Sequence, residues 1–191
     1  LYNQGVNFLL DGKNPDRLGT SHPNIVPYKV FETSDGFILL GIASDYQFKK
    51  FCDFTNRQEL IECEGFRTNA DRVNNRSEVN AVIEDILRGN TSDYWVEGLS
   101  NIKLVCSRVN DMAQALSDPQ IQEREMVIQM EHPLSPSQPV NLIGSPIKLS
   151  ETPATYRHPP PILGQHTDEI LQHILGMTEE QTKTLRESGI I

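Results

Sequence analysis

Two β-rich runs, Tyr28-Lys-Val-Phe31 and Phe37-Ile-Leu-Leu40, flank Thr33-Ser-Asp-Gly36, and no other feature restricts the fold of this chain so tightly. A Ser-Asp-Gly step between two such runs predicts a β-hairpin, because Asp and Gly tolerate the positive φ that tight hairpin turns need. Ahead of it lies Arg17-Leu-Gly-Thr-Ser-His22. Gly19, Thr20 and Ser21 carry little side chain, so backbone there can come close to a ligand or another chain. Loop, Pro-Tyr strand, Asp-Gly turn and second strand follow in that order.

At 191 residues the chain can bury a substantial core, and its length admits one or two domains. A formal charge of −9 argues against nucleic acid as a partner, which calls for a basic footprint. It also makes this chain alone a poor holder of polyanions. No apolar run is long enough for a membrane span. The first residue is Leu1, and no basic region precedes residues 1–10, so no secretory signal is expected. The chain reads as a mature product or a piece of something longer. Its three cysteines, Cys52, Cys63 and Cys106, lack CxxC spacing. They predict reduced thiols in an intracellular compartment and no metal site, with Cys106 packing as a small hydrophobe.

Mixed α and β content is expected along the chain. Tyr2, Val6, Leu9 and Leu10 have helical spacing, stopped at Asp11-Gly12. Ser44 or Asp45 should cap a helix over 46–54 with Phe48, Phe51 and Cys52 on one face. A helical turn is expected at Glu59-Leu-Ile61. Residues 66–75, rich in Asn and Arg, read as a polar connector. Asn75 or Ser77 should cap a helix over 77–87, whose stripe is Val79, Val82, Ile83, Ile86 and Leu87. Thr91-Ser-Asp93 should start another, turning Tyr94, Trp95 and Leu99 inward. Residues 104–109 read as a short strand, 111–116 as a helix, and Asp118-Pro119 as a fresh helix start through Arg124. Composition shifts near 125–131. Beyond it 126–130, 140–143 and 147–149 are β-like, and 156–161 is proline-rich and extended. Thr167 and Thr178 should open the last two helices.

Few residues suggest chemistry. His22, before Pro23, could touch a ligand or only satisfy local hydrogen bonds. His166 and His173 stand two helical turns apart, about 10 Å of rise, too far for one ion. His132 and His158 sit in turns. Asp35 is explained as a turn residue. Asp45-Tyr-Gln47, at a helix start, could meet an anion or serve as a cap. The P-loop, Gly-x-Ser-x-Gly, Gly-x-Gly-x-x-Gly and His-Glu-x-x-His patterns are all missing. These residues by themselves describe an α/β protein of unspecified activity.

Ordered motifs say more. Arg17-Leu-Gly-x-x-His-Pro-x-Ile-x-Pro-Tyr28, Phe31-x-Thr-x-Asp-Gly36 and Gln47-Phe48 come first. Phe66-x-Thr-Asn69, Arg72-Val-x-Asn-Arg76, Asp118-Pro-Gln120, Glu131-His-Pro133 and Pro159-Pro-Pro-x-Leu-Gly-Gln-His-Thr-x-Glu-Ile-Leu171 follow. Together they resemble the family III CoA-transferases (the CaiB/BaiF family), whose members include formyl-CoA, carnitine and succinyl-CoA:dicarboxylate transferases and α-methylacyl-CoA racemase. The resemblance spans nearly the whole chain, and its closest flavour is the succinyl-CoA:dicarboxylate type.

That resemblance implies an α/β fold: a small α+β domain plus the C-terminal tail of a Rossmann-like large domain, in an interlocked homodimer. It assigns 1–23 to a linker helix and active-site loop, 24–125 to the small domain, and 126–191 to a linker and the returning tail. A coenzyme A thioester would be substrate, with an acyl-CoA and a carboxylic acid exchanging CoA, and no metal. The family's aspartate nucleophile lies in the N-terminal half, so no catalytic residue carries over to this chain. Gly19, Thr20, Ser21 and His22 match the glycine-containing loop that covers the site, and are the expected substrate-binding residues. One glycine stands there in place of a glycine run. Asn101-Ile-Lys-Leu-Val-Cys-Ser-Arg-Val-Asn110 lacks the prolines and glycines of relatives. The cytoplasm, or the mitochondrial matrix in a eukaryote, is the implied compartment. The alternatives are a non-catalytic interaction domain derived from the family, and an acyl-CoA racemase-type activity.

Overall fold

The computed structural model describes residues 2–191, and the side chains from residue 4 onward. Leu1 and the side chain of Tyr2, which the helical spacing of the N-terminal segment included, lie outside the described residues. The chain divides into two compact units, Leu1–Asn110 and Asp111–Ile191.

The first unit opens with helix α1 (Tyr2–Asp11), which ends at Gly12 in a left-handed conformation. Strands β1 (Tyr28–Glu32) and β2 (Phe37–Gly41) form the expected hairpin, pairing Tyr28 with Gly41 and Glu32 with Phe37. β3 (Val105–Arg108) adds antiparallel to β2, so β2 is central. The hairpin turn is not made as the sequence suggests. Ser34, Asp35 and Gly36 all keep φ outside the left-handed region. A side chain fixes the turn instead. Asp35 Oδ1 accepts from the Ser92 backbone N–H at 2.7 Å, the Ser92 hydroxyl at 2.8 Å and the Thr33 hydroxyl at 3.1 Å.

Helices cover one face of this sheet. α2 (Asp45–Phe54) is capped by Ser44, whose side chain takes the Gln47 N–H while Gln47 reaches back to the Ser44 N–H. Its buried face is Phe48, Phe51 and Cys52, as the spacing predicts. A short turn, α3 (Glu59–Glu62), buries Leu60. α5 (Arg76–Leu87) buries Val79, Ile83 and Leu87, and α6 (Ser92–Asn101) buries Trp95 and Leu99. Tyr94, expected inward, is 48% exposed and stands edge-on to Trp95 at 5.0 Å. With Val26, Phe31, Ile38, Leu40, Ile42, Phe66 and Leu104, these side chains form one core. Full burial of each large apolar side chain stabilises by roughly 1.5–3 kcal/mol.

Residues 66–75 correct the sequence reading most. They are not a polar connector: Asn69–Asn74 is helix α4, opened by a Thr68/Asp71 capping box. Its Arg72 is wholly buried. Asn75 sits before α5 without capping it through its side chain, which donates instead to the Asp71 and Gly65 carbonyls.

The second unit contains α7 (Met112–Ser117), capped by Asp111, and α8 (Pro119–Glu123), capped by Asp118 with proline at its start. A β-ribbon follows, β4 (Val127–Met130) against β5 (Val140–Ile143). The compositional change near 125–131 falls inside this unit, because the Met126 N–H bonds the Ile121 carbonyl and Arg124 bonds the Pro146 carbonyl. Residues 147–149 pair with no strand among the described residues. The Tyr156 hydroxyl accepts the Ser145 N–H at 2.6 Å, tying the extended segment to the end of the ribbon. α9 (Thr167–Glu169) runs on as a π turn, Ile170–Ile174, and α10 (Glu179–Glu187) is capped by Thr178. No apolar side chain of this unit is buried; Leu134 is 76% exposed and Ile174 75%.

Candidate functional site

The residues singled out by sequence, Gly19, Thr20, Ser21 and His22, form a shaped turn. The Ser21 N–H bonds the Leu18 carbonyl at 3.0 Å, closing a four-residue turn whose first central residue, Gly19, has φ +61°. Positive φ there and not at Thr20 is the type II′ pattern, which favours glycine at that place. A Cβ on Gly19 would meet nothing within 4 Å, so its need for glycine is conformational. The Thr20 hydroxyl oxygen accepts the Val30 N–H at 3.1 Å, and the His22 N–H bonds the Tyr28 carbonyl at 2.9 Å. The loop thus satisfies outward-facing groups of edge strand β1, which would otherwise be open for pairing.

His22 stacks on Tyr28, rings 5.4 Å apart and 16° from parallel. Its Nδ1 accepts the Asn24 N–H at 3.1 Å, so the neutral ring carries its proton on Nε2.

Three side chains from α4 and α5 support the chain behind this turn. Asn69 takes the Val26 N–H at 3.2 Å and donates to the Asn24 carbonyl at 2.8 Å. Arg72 Nε donates to the Val26 carbonyl at 2.8 Å. Arg76 donates from Nη1 to the His22 carbonyl at 2.9 Å, and from Nη2 to the Pro23 carbonyl. Among the described residues no carboxylate pairs with Arg76, and its partial burial lowers its pKa. Asn7 on α1 adds a reciprocal amide pair with Asn24, at 3.1 and 3.2 Å. Sequence reading missed this mount. The local signal available was Thr68-Asn-Ala-Asp71, a capping-box pattern that announces α4; Asn69, Arg72 and Arg76 also stand in the family motifs.

The other candidates go to structural duties. Asp45 does not cap α2; it receives Arg72 Nη2 at 2.9 Å. Asp35 joins the hairpin turn to the start of α6 and faces Arg108 at 3.3 Å, and those donors hold its carboxyl below the usual range, the Ser92 N–H foremost. His166 Nδ1 lies 3.0 Å from Glu169, and His132 Nε2 lies 2.9 Å from the Pro160 carbonyl. No cluster of three His, Cys, Asp or Glu able to hold a metal occurs among the described residues. No described helix is long and apolar enough to cross a membrane. The thiols are unpaired. Burial pushes Cys52 up to about 12 and Cys106 up to about 11, which leaves both protonated and packed with the core. The loop therefore offers hydroxyls, backbone and an imidazole edge, with no nucleophile and base brought together among the described residues.

The family profile described as CoA-transferase family III matches residues 1–167. The chain belongs to that family. Succinyl-CoA:glutarate CoA-transferase of Homo sapiens is 30% identical over 97% of this chain and 42% of its own length. Succinate–glutarate CoA-transferase of Agrobacterium fabrum is 33% identical over 96% of this chain and 45% of its own length. Among solved structures, a CAIB/BAIF family protein from Brucella suis superposes with a TM-score of 0.72, at 31% identity, over 90% of this chain and 44% of that one. The chain thus spans less than half the length of each of these relatives.

Proposed function

We propose that this chain is the C-terminal part of a CoA-transferase that moves CoA from succinyl-CoA to a dicarboxylic acid such as glutarate. The observation that carries this reading is the family match over residues 1–167, joined to two relatives named for that same exchange. The transferase names of these relatives favour transfer over racemisation. The chemistry would run through an acyl-aspartyl anhydride and an enzyme–CoA thioester, on an aspartate supplied by the remaining part of the protein. Two features support that division. The loop brings no nucleophile and base together among the described residues, and the charge of −9 suits a chain that leaves the CoA phosphates to other segments.

In this reading residues 18–22 close over the acyl intermediate and keep out water, which would otherwise hydrolyse it. Residues 1–23 are linker and loop, 24–125 the small domain, and 126–191 the tail of the large domain. The lack of buried apolar side chains in Asp111–Ile191 fits a segment completed by burial against the rest of an interlocked homodimer. The full protein would work in the cytoplasm, or in the mitochondrial matrix of a eukaryote.

The test is an assay with succinyl-CoA and glutarate. The full-length protein should form glutaryl-CoA, and the purified 191-residue chain alone should form none. Turnover by the chain alone would refute an external nucleophile. An inactive full-length protein would refute the transferase reading.

A further inference from the structure

The Arg76 clamp calls for an explanation beyond local stability. Its guanidinium is partly withdrawn from water, yet it spends its charge on two neutral carbonyls, His22 and Pro23, with no carboxylate pairing it among the described residues. Even partial withdrawal of a cation from water carries a desolvation cost, and two neutral carbonyls offset less of it than a carboxylate would. A planar fork has one clear advantage here. It engages two successive carbonyls together, fixing the direction in which the chain leaves the clamp as well as its distance from α5. The turn directly before the clamp carries Gly19, Thr20 and Ser21.

We propose that Arg76 is the positioning residue of this loop, setting where the residue 18–21 turn lies over the acyl-enzyme and so how that intermediate divides between acceptor and water. The proposal rests on the transferase reading above. Two fates compete at the enzyme–CoA thioester. In transfer, the acceptor carboxylate attacks the aspartyl thioester carbonyl and expels CoA as thiolate; the thiolate then attacks the acceptor carbonyl of the resulting mixed anhydride, so that CoA ends on the acceptor and the aspartate carboxylate is restored. In hydrolysis, water attacks the aspartyl thioester carbonyl, the C–S bond breaks, CoA leaves as the thiol and the aspartate carboxylate is restored with release of a proton. Arg76 touches neither reacting atom. It acts through the His22 and Pro23 carbonyls, with Asn69 holding Asn24 and Val26 behind them.

The experiment uses the full-length protein with Arg76→Met, Arg76→Lys and, as a control, Arg88→Met, whose guanidinium pairs with Glu32 and Glu84. Free thiol released from succinyl-CoA without acceptor measures hydrolysis; glutaryl-CoA formed measures transfer. Arg76→Met should raise the hydrolysis-to-transfer ratio by about tenfold, on the scale at which small displacements of positioning groups act. KM for succinyl-CoA should change less than kcat for transfer. Arg76→Lys, which keeps a donor near both carbonyls, should recover part of the ratio, and Arg88→Met should leave it at the wild-type value. Hydrogen exchange gives a readout independent of turnover: the Ser21 and His22 amides should exchange faster in Arg76→Met while those of Ile83 and Leu99 keep their protection. An unchanged ratio in Arg76→Met, or equal loss of protection in loop and core, would overturn the proposal. If loop exchange responds as expected to Arg76→Met while the wild-type protein shows no transferase activity, the failure lies in the transferase reading, and the partitioning role falls with it.

Discussion

Arg72 should be the least replaceable polar residue of the first unit. Its side chain is fully buried. It donates to the Val26 carbonyl at 2.8 Å, the Phe66 carbonyl at 2.9 Å and Asp45 at 2.9 Å, and its guanidinium lies 4.4 Å from the centre of the Phe48 ring. Two of those acceptors are buried carbonyls. Each one orphaned costs about 1–3 kcal/mol, while a methionine in place of the arginine avoids desolvating a charge. Arg72→Met should therefore lose about 3 kcal/mol, near the lower end measured for breaking buried charged networks. Asp45 is different: its side chain is 55% exposed, and a solvent-screened pair contributes about 0–1 kcal/mol. Asp45→Asn should cost less than about 1 kcal/mol, because Arg72 keeps its carbonyl partners. Arg72→Lys should fall close to Arg72→Met, since one ammonium cannot serve acceptors that a fork spans. Urea unfolding followed by Trp95 fluorescence measures all three. Trp95 is the sole tryptophan, is 3% exposed, and donates its indole N–H to the Leu87 carbonyl at 2.6 Å. If Asp45→Asn costs as much as Arg72→Met, the ion pair and not the carbonyl bonding holds this helix. If all three stay within about 0.5 kcal/mol of wild type, the buried cation does not determine the fold.

Two glycines separate by conformation. Gly19→Ala should destabilise by about 1–2 kcal/mol, because a Cβ is strained at its φ of +61° even in open space. Gly36→Ala should be neutral or slightly stabilising in the same denaturant assay, since Gly36 lies outside the left-handed region and a Cβ would stand 3.5 Å from the Ser92 hydroxyl. Asp35 should leave a mark on acid stability. Its pKa is lower folded than unfolded, so its contribution is complete above about pH 4 and disappears as pH falls through the folded value. The stability gap between wild type and Asp35→Asn should narrow as pH falls below about 4; a gap constant with pH would count against the hydrogen-bonded carboxylate.

Much of the first unit was legible in its sequence, and the failures share a cause. α2 and α5 announce themselves through apolar residues at helical spacing, and the hairpin through two β-rich runs, because these patterns are local. The hairpin turn was placed correctly for an incorrect reason. Its geometry depends on Asp35 meeting Ser92, 57 residues away, which no turn preference encodes. α4 was missed because its six residues are mostly polar and too few to show a period. Arg72 looked solvated for a related reason: its main acceptor is the Val26 carbonyl, 46 residues earlier. Ile147-Lys-Leu149 alternates like a strand, but a strand requires a partner, and none pairs with it among the described residues. At the site, the position of the Gly19–His22 turn was legible; the arginines that mount it were not.

Several residues of the motifs that mark the family hold main chain. Thr68 and Asp71 cap α4, Asn69 and Arg72 bond the backbone at 24–26, and Arg76 bonds it at 22–23. Asp35 of the second motif fixes the turn that brings β2 beside β1. Such residues are tied to spacing because each must reach a particular carbonyl or N–H, and a buried main-chain group left unpaired is costly. An ordered family signature can therefore rest on residues that bond main chain. The same contacts give the loop its shape from within Leu1–Asn110 alone. Ordering entropy for the residue 18–22 turn is thus met on folding, by the Ser21–Leu18 bond and the contacts with β1, with Arg76 of α5 holding the His22 carbonyl. Under the proposed transferase reading, a loop prepared in this way spends less binding energy on closing over the intermediate, the condition under which Arg76 can govern what the loop excludes.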